Sequence, residues 1–277
     1  MTRIITDSCA DLSQELIDRF NIDIVPLGVY INDVVFQDGI DIHTQDLFNE
    51  VAKTGILPKT SAPSVATYIE HFTGDEDVIY ISISSKLSAS NQNAHLAQKT
   101  IGKENVYIID SLNLSTGIGL LVLAAAEMAQ SGMKTTEIIS QVESLKANVH
   151  TSFVVDTLDY IHKGGRCSAT ELLIGSLLNI RPVIEVRTDG TLDVKKKIAG
   201  SRKKALMSMV EDLKKDIAQV NLHRIFITHT LCEKDADFLK SEVEILAKFD
   251  EIHFTVAGST IASHCGPKCI GILYLTK

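Results

Sequence analysis

The sequence of 277 residues contains no tryptophan, and aromatic residues make up only 5% of it. Stacking of aromatic side chains on nucleic-acid bases is therefore a poor basis for its function. The formal net charge is −8, and no run of basic residues resembles a nucleic-acid-binding arm. Together these features predict that the protein has no nucleic-acid partner.

Long hydrophobic runs are also missing. The longest apolar run covers residues 118–126, contains Gly119, and is far shorter than the ~20 residues that a membrane-spanning helix needs. The first residues enter a strand-like pattern without the apolar stretch of a secretion signal. We therefore expect a cytoplasmic protein without stable membrane insertion.

The pattern of cysteines and the absence of common cofactor motifs argue against further classes of protein. Five cysteines are an odd number and are scattered, which argues against a disulfide framework. His264, Cys265 and Cys269 do not follow a known metal-binding spacing and lack an evident fourth ligand, so buried thiols are favoured and no metal is predicted. The glycine-rich nucleotide motifs, the hydrolase nucleophile elbow and the zinc-protease motif are absent, which leaves nucleotide cofactors without support.

What the sequence does contain is an alternation of strand and helix patterns. Residues 3–6, 78–81 and 106–109 have the apolar character of buried strands, and each is followed by a polar loop and a helical pattern. This order predicts an α/β fold, and the composition changes near His150. Residues 22–31 predict a further strand that is broken at Pro26, and Ser168 is expected to cap a helix through Leu178.

Two polar stretches are candidates for a binding site. Residues 84–94 follow a predicted strand and contain four serines, two asparagines and one glutamine, with Lys86 as the only cation. Such a stretch suits a carboxylate held by hydroxyl groups and a helix N-terminus, although a serine-rich helix cap explains it equally well. Thr60 and Ser61 lie between Pro58 and Pro63, which predicts an ordered extended loop outside any helix or sheet.

The following motifs, in this order, resemble those of the DegV family of bacterial fatty-acid-binding proteins over nearly the whole chain: residues 6–8, 59–64, 84–88, 110–111, 156–158 with 164–166, 181–183 with 189–190, and 264–267. The resemblance implies two α/β domains, at residues 1–150 and 151–277, with a lipid-binding tunnel and the carboxylate site near their junction. It also implies a non-catalytic protein without a cofactor, whose ligand is a long-chain fatty acid such as palmitate.

The resemblance further implies a partner and a set of binding residues. The protein would present the fatty acid to a separate ATP-dependent fatty acid kinase, a dihydroxyacetone-kinase-like subunit, and so feed acyl-phosphate to phospholipid synthesis. By motif, Thr60, Ser61 and Ser88 would hold the carboxylate, and His264 and Arg166 would be supporting polar groups.

The chain departs from the family pattern at two positions. Lys268 stands where the family usually has glycine, and Gly200 stands where it tends to have arginine, with Arg202 nearby but offset. These departures bear on engagement with a kinase. Two alternatives also stay open on the residues alone. One is an acyltransferase or esterase with Ser88 as nucleophile and His264 as base, and the other is a regulatory module that binds another acidic lipid or metabolite.

Overall fold

The structure is a computed structural model that describes residues 2–167 and 180–277. The helix expected from Ser168 through Leu178 lies outside the described residues. Within them the strands are, in chain order, β1 Arg3–Asp7, β2 Asp23–Val25, β3 Gly28–Ile31, β4 Val34–Gln37, β5 Lys59–Ser61, β6 Val78–Ser82, β7 Val106–Asp110, β8 Val149–Val154, β9 Ile180–Val186, β10 Leu192–Ala199, β11 Val220–His229, β12 Glu251–Val256 and β13 Ile270–Thr276.

The α-helices of the described residues alternate with these strands, as the sequence pattern predicts. They are, in chain order, α1 Gln14–Phe20, α2 Thr44–Thr54, α3 Val65–His71, α4 Ser90–Ile101, α5 Thr116–Gln130, α6 Thr135–Leu145, α7 Asp159–Gly164, α8 Arg202–Asp216, α9 Glu233–Leu246 and α10 Ser259–Cys265. Short 3-10 turns cover Ser8–Ala10 and Lys146–Asn148.

The first half of the chain is built on a parallel sheet in the order β2-β1-β6-β7. Neighbouring side chains of a strand point to opposite faces, so Ile4 and Ile5 enter different cores. Ile5 packs with Tyr68 of α3 and Ala94 of α4, whereas Ile4 belongs to the core that contains α5. The sheet is therefore covered by helices on both faces.

The second half is built on a six-stranded mixed sheet in the order β10-β9-β8-β13-β11-β12. One face packs on α8 and α9 through residues such as Ile225 and Leu239. The opposite face, which includes Phe226 and Leu273, packs against α5. The α/β fold class is thus confirmed, and β8 begins the second sheet where the composition changes, near His150.

The helix α5 lies between the two sheets. Its sequence, TGIGLLVLAAAEMAQ, is apolar around nearly its whole circumference, as expected of a helix that is covered on several sides. It contacts β1 and β6 of the first sheet and β8, β11 and β13 of the second. One hydrophobic core therefore includes side chains from both halves of the chain.

Pro26 breaks the predicted strand 22–31 into two strands that belong to different sheets. The segment β2 joins the parallel sheet, and β3 joins a small antiparallel sheet in the order β4-β3-β5. The expectation that Thr60 and Ser61 lie outside any sheet is wrong, because they belong to β5 and pair with Val29 and Gly28 of β3. Backbone pairing, in addition to the flanking prolines, fixes their position.

Candidate functional site

An apolar cavity lies on the α5-facing side of the six-stranded sheet. It contains about 610 Å³ of atom-free space, part of it open to solvent, and we call it the apolar chamber. The sheet contributes Phe153, Gly271 and Leu273 to its lining, and Leu114 and Ile261 line it as well. Gly271 and Phe153 are direct partners in the pairing of β13 with β8. The alternation of side chains along these strands thus creates a hydrocarbon-like surface.

A second, more polar cavity adjoins the first and contains about 690 Å³ of atom-free space, part of it open to solvent; we call it the hydroxyl chamber. It is lined by all five residues that the sequence analysis selected, namely Thr60, Ser61, Ser88, Arg166 and His264. The two chambers have five lining residues in common, namely Leu114, Arg166, Leu192, Ile261 and His264. The structure therefore brings the candidate residues together around one cavity, which adjoins the apolar chamber.

The two hydroxyl groups of β5 contact side chains of two other elements, α10 and β3. Thr60 Oγ1 lies 2.7 Å from His264 Nε2, on α10. The Ser61 hydroxyl donates to the Tyr30 hydroxyl at a distance of 3.5 Å. A Cβ at Gly28 would lie 2.5 Å from Ser61 Oγ, so the absence of a side chain there makes room for the serine. These contacts hold both hydroxyl oxygens in defined positions.

The serine-rich stretch forms a tight turn before α4. The Ser88 N–H donates to the Ser84 carbonyl at 3.1 Å, and the Ser84 hydroxyl donates to the Gly190 carbonyl at 2.8 Å. Ser88 Oγ accepts from the Ser90 N–H at 3.2 Å, so Ser88 also serves the N-terminus of α4. Residues 90–94 are helical, and Ala94 is buried on this helix whereas Leu96 is 52% exposed.

Arg166 is an exposed residue just after the C-terminus of α7. Its Nη1 donates to the Gly164 carbonyl at 2.6 Å, and its Nε donates to the Leu87 carbonyl at 3.4 Å. The guanidinium thus connects the end of α7 to the serine-rich turn. Because it is exposed, it adds a positive charge to the chamber without forming a buried ion pair.

His264 lies in the last turn of α10 between the two chambers. Burial, followed by the nearby Arg166 charge, lowers the pKa of its imidazole to about 4. The ring is therefore neutral at physiological pH. Its Nδ1 is buried and has no hydrogen-bond partner among the described residues.

Three buried aspartates hold the backbone around the chambers, and the sequence analysis did not assign this role to them. Asp38 accepts from the Ser259 N–H at 2.7 Å and from the Ser8 hydroxyl at 2.9 Å. Asp11 accepts from the Gly258 N–H at 2.8 Å. These bonds fix the start of α10, and burial raises the pKa of both carboxyl groups.

The third aspartate, Asp7, caps the 3-10 turn Ser8–Ala10, because its Oδ1 accepts from the Cys9 N–H at 3.1 Å. Its other oxygen accepts from the Ile83 N–H at 2.9 Å, just before the serine-rich turn. Burial raises the pKa of Asp7 to about 6, against the opposing effect of its hydrogen bonds.

The two departures from the family pattern have local structural consequences. Lys268 has a φ of +57°, a left-handed conformation that glycine adopts without cost. Its carbonyl accepts from Arg202 Nη2 at 2.5 Å. Arg202 Nε also donates to Asp235 at 2.6 Å, so this arginine is already engaged within the chain. Gly200 has a φ of +113°, which any arginine in its place would find strained.

The contacts do not favour a serine nucleophile. Ser88 Oγ lies 2.9 Å from Ser90 Oγ, whereas His264 Nε2 is bonded to Thr60. A nucleophile and its base should lie within hydrogen-bond reach of each other, and this pair is not bonded. In residues 2–167 and 180–277 no group of three or more histidine, cysteine, aspartate or glutamate side chains could hold a metal ion. No helix in these same residues is long and apolar enough to cross a membrane.

Comparison with known proteins identifies relatives over the full length of the chain. A family model described as the DegV family of uncharacterised proteins matches residues 1–277. A DegV domain-containing protein of Caldanaerobacter subterraneus subsp. tengcongensis is 31% identical over 280 residues, covering 99% of this chain and 98% of the relative.

Solved structures show the same similarity. A DegV family protein from Thermus thermophilus, described as binding fatty acid, superposes with a TM-score of 0.93 at 27% identity, covering 100% of this chain and 99% of that one. The fatty acid kinase (Fak) B3 protein of Streptococcus pneumoniae, loaded with linoleic acid, has a TM-score of 0.87 at 24% identity over 100% of both chains. At this lower identity the likeness shows the fold alone.

Proposed function

Since this chain belongs to the DegV family, we propose that it binds a long-chain fatty acid with the hydrocarbon in the apolar chamber and the carboxylate in the hydroxyl chamber. The observation that carries this proposal is the junction of the two chambers at shared residues, among them Leu192 and Ile261. An apolar space that ends in hydroxyl groups matches the shape and polarity of a fatty acid. The Thermus thermophilus relative, described as binding fatty acid, supports the same ligand class.

The two chambers contribute differently to binding. Each buried CH₂ group is worth ~0.8 kcal/mol, so a long acyl chain contributes on the order of 10 kcal/mol before the costs of ordering it. Hydrogen bonds to a carboxylate add ~1.5–3 kcal/mol each, much of which is offset by desolvation. The apolar chamber would therefore determine affinity, and the hydroxyl chamber would determine orientation.

In this proposal Thr60, Ser61 and Ser88 donate their hydroxyl protons to the carboxylate, and Arg166 and His264 support them. A carboxylate accepts hydrogen bonds only, and three hydroxyl donors suit it. Arg166 is exposed and occupied by the Gly164 and Leu87 carbonyls, so it does not need to form a tight pair with the acid. The acid would then stay available for a later reaction.

That later reaction would be phosphorylation by a separate ATP-dependent fatty acid kinase, which the protein would assist as a non-catalytic carrier. Hydroxyl donors can release a carboxylate oxygen to a phosphoryl group more readily than a bidentate arginine could. This partner class is what the resemblance to the DegV family implies, and the fatty acid kinase (Fak) B3 protein of Streptococcus pneumoniae has the same fold. The resulting acyl-phosphate would supply phospholipid synthesis.

Mass spectrometry of the lipid fraction extracted from the purified protein tests the ligand. We expect long-chain fatty acids at close to one per chain, and delipidated protein should rebind palmitate. Another acidic lipid in the extract, with no binding of palmitate, would instead favour a regulatory module. A covalent acyl-serine after incubation with activated esters would favour an enzyme and contradict the carrier function.

A further inference from the structure

The two nitrogens of the His264 ring have very different surroundings. Nε2 lies 2.7 Å from Thr60 Oγ1, inside the hydroxyl chamber. Nδ1 faces the C-terminal end of α7, where a Cβ on Gly164 would lie 2.6 Å away. The side of the ring that carries Nδ1 is therefore closely covered by the Gly164 backbone.

This arrangement determines which nitrogen carries the proton. The Gly164 hydrogen that occupies the Cβ direction points toward Nδ1, so a proton on Nδ1 would face another hydrogen. A lone pair on Nδ1 instead accepts a weak C–H contact. A buried N–H without an acceptor is also rarer in proteins than a buried acceptor without a donor. The surroundings thus favour the neutral ring with its proton on Nε2.

The tautomer in turn determines the direction of the Thr60 hydroxyl. A hydroxyl group has one proton and two lone pairs. If Nε2–H donates to Thr60 Oγ1, the threonine proton is left for another acceptor. If instead Nε2 accepted from Thr60, the threonine would present lone pairs to the chamber and repel a carboxylate.

We propose that Gly164 is a positioning residue for the hydroxyl chamber, which holds His264 as the Nε2–H tautomer and so makes Thr60 a hydrogen-bond donor to an acyl carboxylate. The second half of this proposal rests on the proposed fatty-acid function. Gly164 is the last residue of α7 and has no positive φ, so its backbone conformation does not require glycine. What requires glycine there is the space next to His264 that a side chain would fill. The adjacent Gly165 has a φ of +67° and no atom within 4 Å of its Cβ direction.

This difference supplies a matched pair of variants. Gly164→Ala suits a helical backbone but places a methyl group too close to Nδ1. Gly165→Asn keeps a left-handed conformation that asparagine tolerates, and it meets no neighbour. Only the first variant should disturb the ring.

The tautomer can be measured in the delipidated full-length protein by ¹⁵N NMR of the histidine side chains. We expect His264 of the unchanged protein and of Gly165→Asn to be protonated on Nε2 at pH 7. In Gly164→Ala the methyl group should displace the ring from Thr60 Oγ1, so that neither tautomer is selected and the ring exchanges between the two. A proton found on Nδ1 in the unchanged protein would overturn the proposal.

Binding of palmitate and of the neutral analogue hexadecanol supplies the second readout. Gly164→Ala should weaken palmitate binding by about tenfold, while hexadecanol, which can both donate and accept, should change by less than about threefold. Unchanged palmitate affinity in a folded Gly164→Ala protein would overturn the proposal.

If Gly164→Ala does not fold, His264→Gln and His264→Leu decide the question. The glutamine amide can place an N–H near the position of Nε2, so it should retain palmitate affinity within about threefold, and leucine should lose about tenfold. Equal affinities would contradict the proposal. A chain that shows the Nε2–H tautomer but binds neither palmitate nor hexadecanol would refute the fatty-acid function and leave the tautomer assignment standing.

Discussion

Thr60 Oγ1 and His264 Nε2 lie 2.7 Å apart, although 204 residues separate them in the chain. The bond joins β5, in the small sheet of the first half, to α10, near the end of the chain. The hydroxyl chamber therefore exists only when distant parts of the chain have come together. The contribution of individual residues to ligand binding can therefore be tested by single substitutions.

Replacement of both Ser61 and Ser88 by alanine tests the division of roles between the chambers. Palmitate affinity should fall by no more than about tenfold, because the acyl chain supplies most of the binding free energy. Kinase-dependent formation of acyl-phosphate should fall more strongly, because the acid end is no longer oriented. Isothermal titration and a coupled kinase assay measure the two effects.

Ser64→Ala is a matched control for Ser88→Ala. Ser64 caps α3 by accepting from the Thr67 N–H at 3.1 Å, but it does not line either chamber. Both substitutions should cost about 1 kcal/mol of stability, and only Ser88→Ala should affect the acid end. Complete loss of palmitate binding in the double variant would contradict the proposed division.

Leu192→Trp tests whether the two chambers form one binding space. Leu192 lines both, so an indole there should narrow their connection. We expect at least about tenfold weaker binding of acids with 16 or 18 carbons, and a shift of the co-purified lipid to shorter chains. Leu222→Trp, at a position that is 36% exposed, is the control. An unchanged lipid profile in Leu192→Trp would show that the acyl chain lies elsewhere.

Lys268→Gly should stabilise the protein. In the left-handed conformation of Lys268, any residue with a side chain is less stable than glycine by roughly 1–2 kcal/mol. Part of the stability gained by substitution with glycine is offset by the greater freedom of glycine in the unfolded chain. The net increase in the free energy of unfolding should be about 1 kcal/mol by urea denaturation. Lys268→Ala retains the strain and should show no comparable gain.

The His264 pKa predicts a defined dependence of stability on pH. In the native protein the ring stays neutral down to about pH 4, whereas its usual pKa is 6.5. Between these values the unfolded chain binds more protons at this histidine than the native one, so the contribution of His264 to the free energy of unfolding should fall as the pH is lowered from 6.5 toward 4. The raised pKa values of Asp7, Asp11 and Asp38 act in the opposite direction, so the contribution of His264 is measured as the difference in slope between the unchanged protein and His264→Gln in urea titrations across that range. An identical slope in the variant would place the histidine pKa at its usual value.

Local patterns predicted much of the fold because strands and amphipathic helices bury their side chains at regular intervals. The apolar runs of β1, β6 and β7 were correctly predicted as strands, and these strands pair in one parallel sheet. The segment β5 was missed because it has only three residues, and its pairing with β3 depends on a partner about 30 positions away. Flanking prolines fitted an isolated loop equally well.

For the candidate site, too, local motifs predicted some features and not others. The hydroxyl-bearing residues stand in recognisable local motifs, and all five selected residues line one chamber. Their roles as ligands of an acid stay predictions. Asp38 gave no such signal, since it acts through a contact with α10 that is 221 positions away in sequence. Gly164 stands in one of the motifs, but its close approach to His264 could not be predicted from that motif.

The position of α5 between the two sheets has a consequence for how the protein folds. A chain cut at residue 150 would leave this helix with one of its apolar sides uncovered, and the sheet of the second fragment would lose its cover too. Each fragment would then be prone to self-association. The intact chain should melt in a single cooperative transition, so that loss of the acyl-binding space and global unfolding become one event.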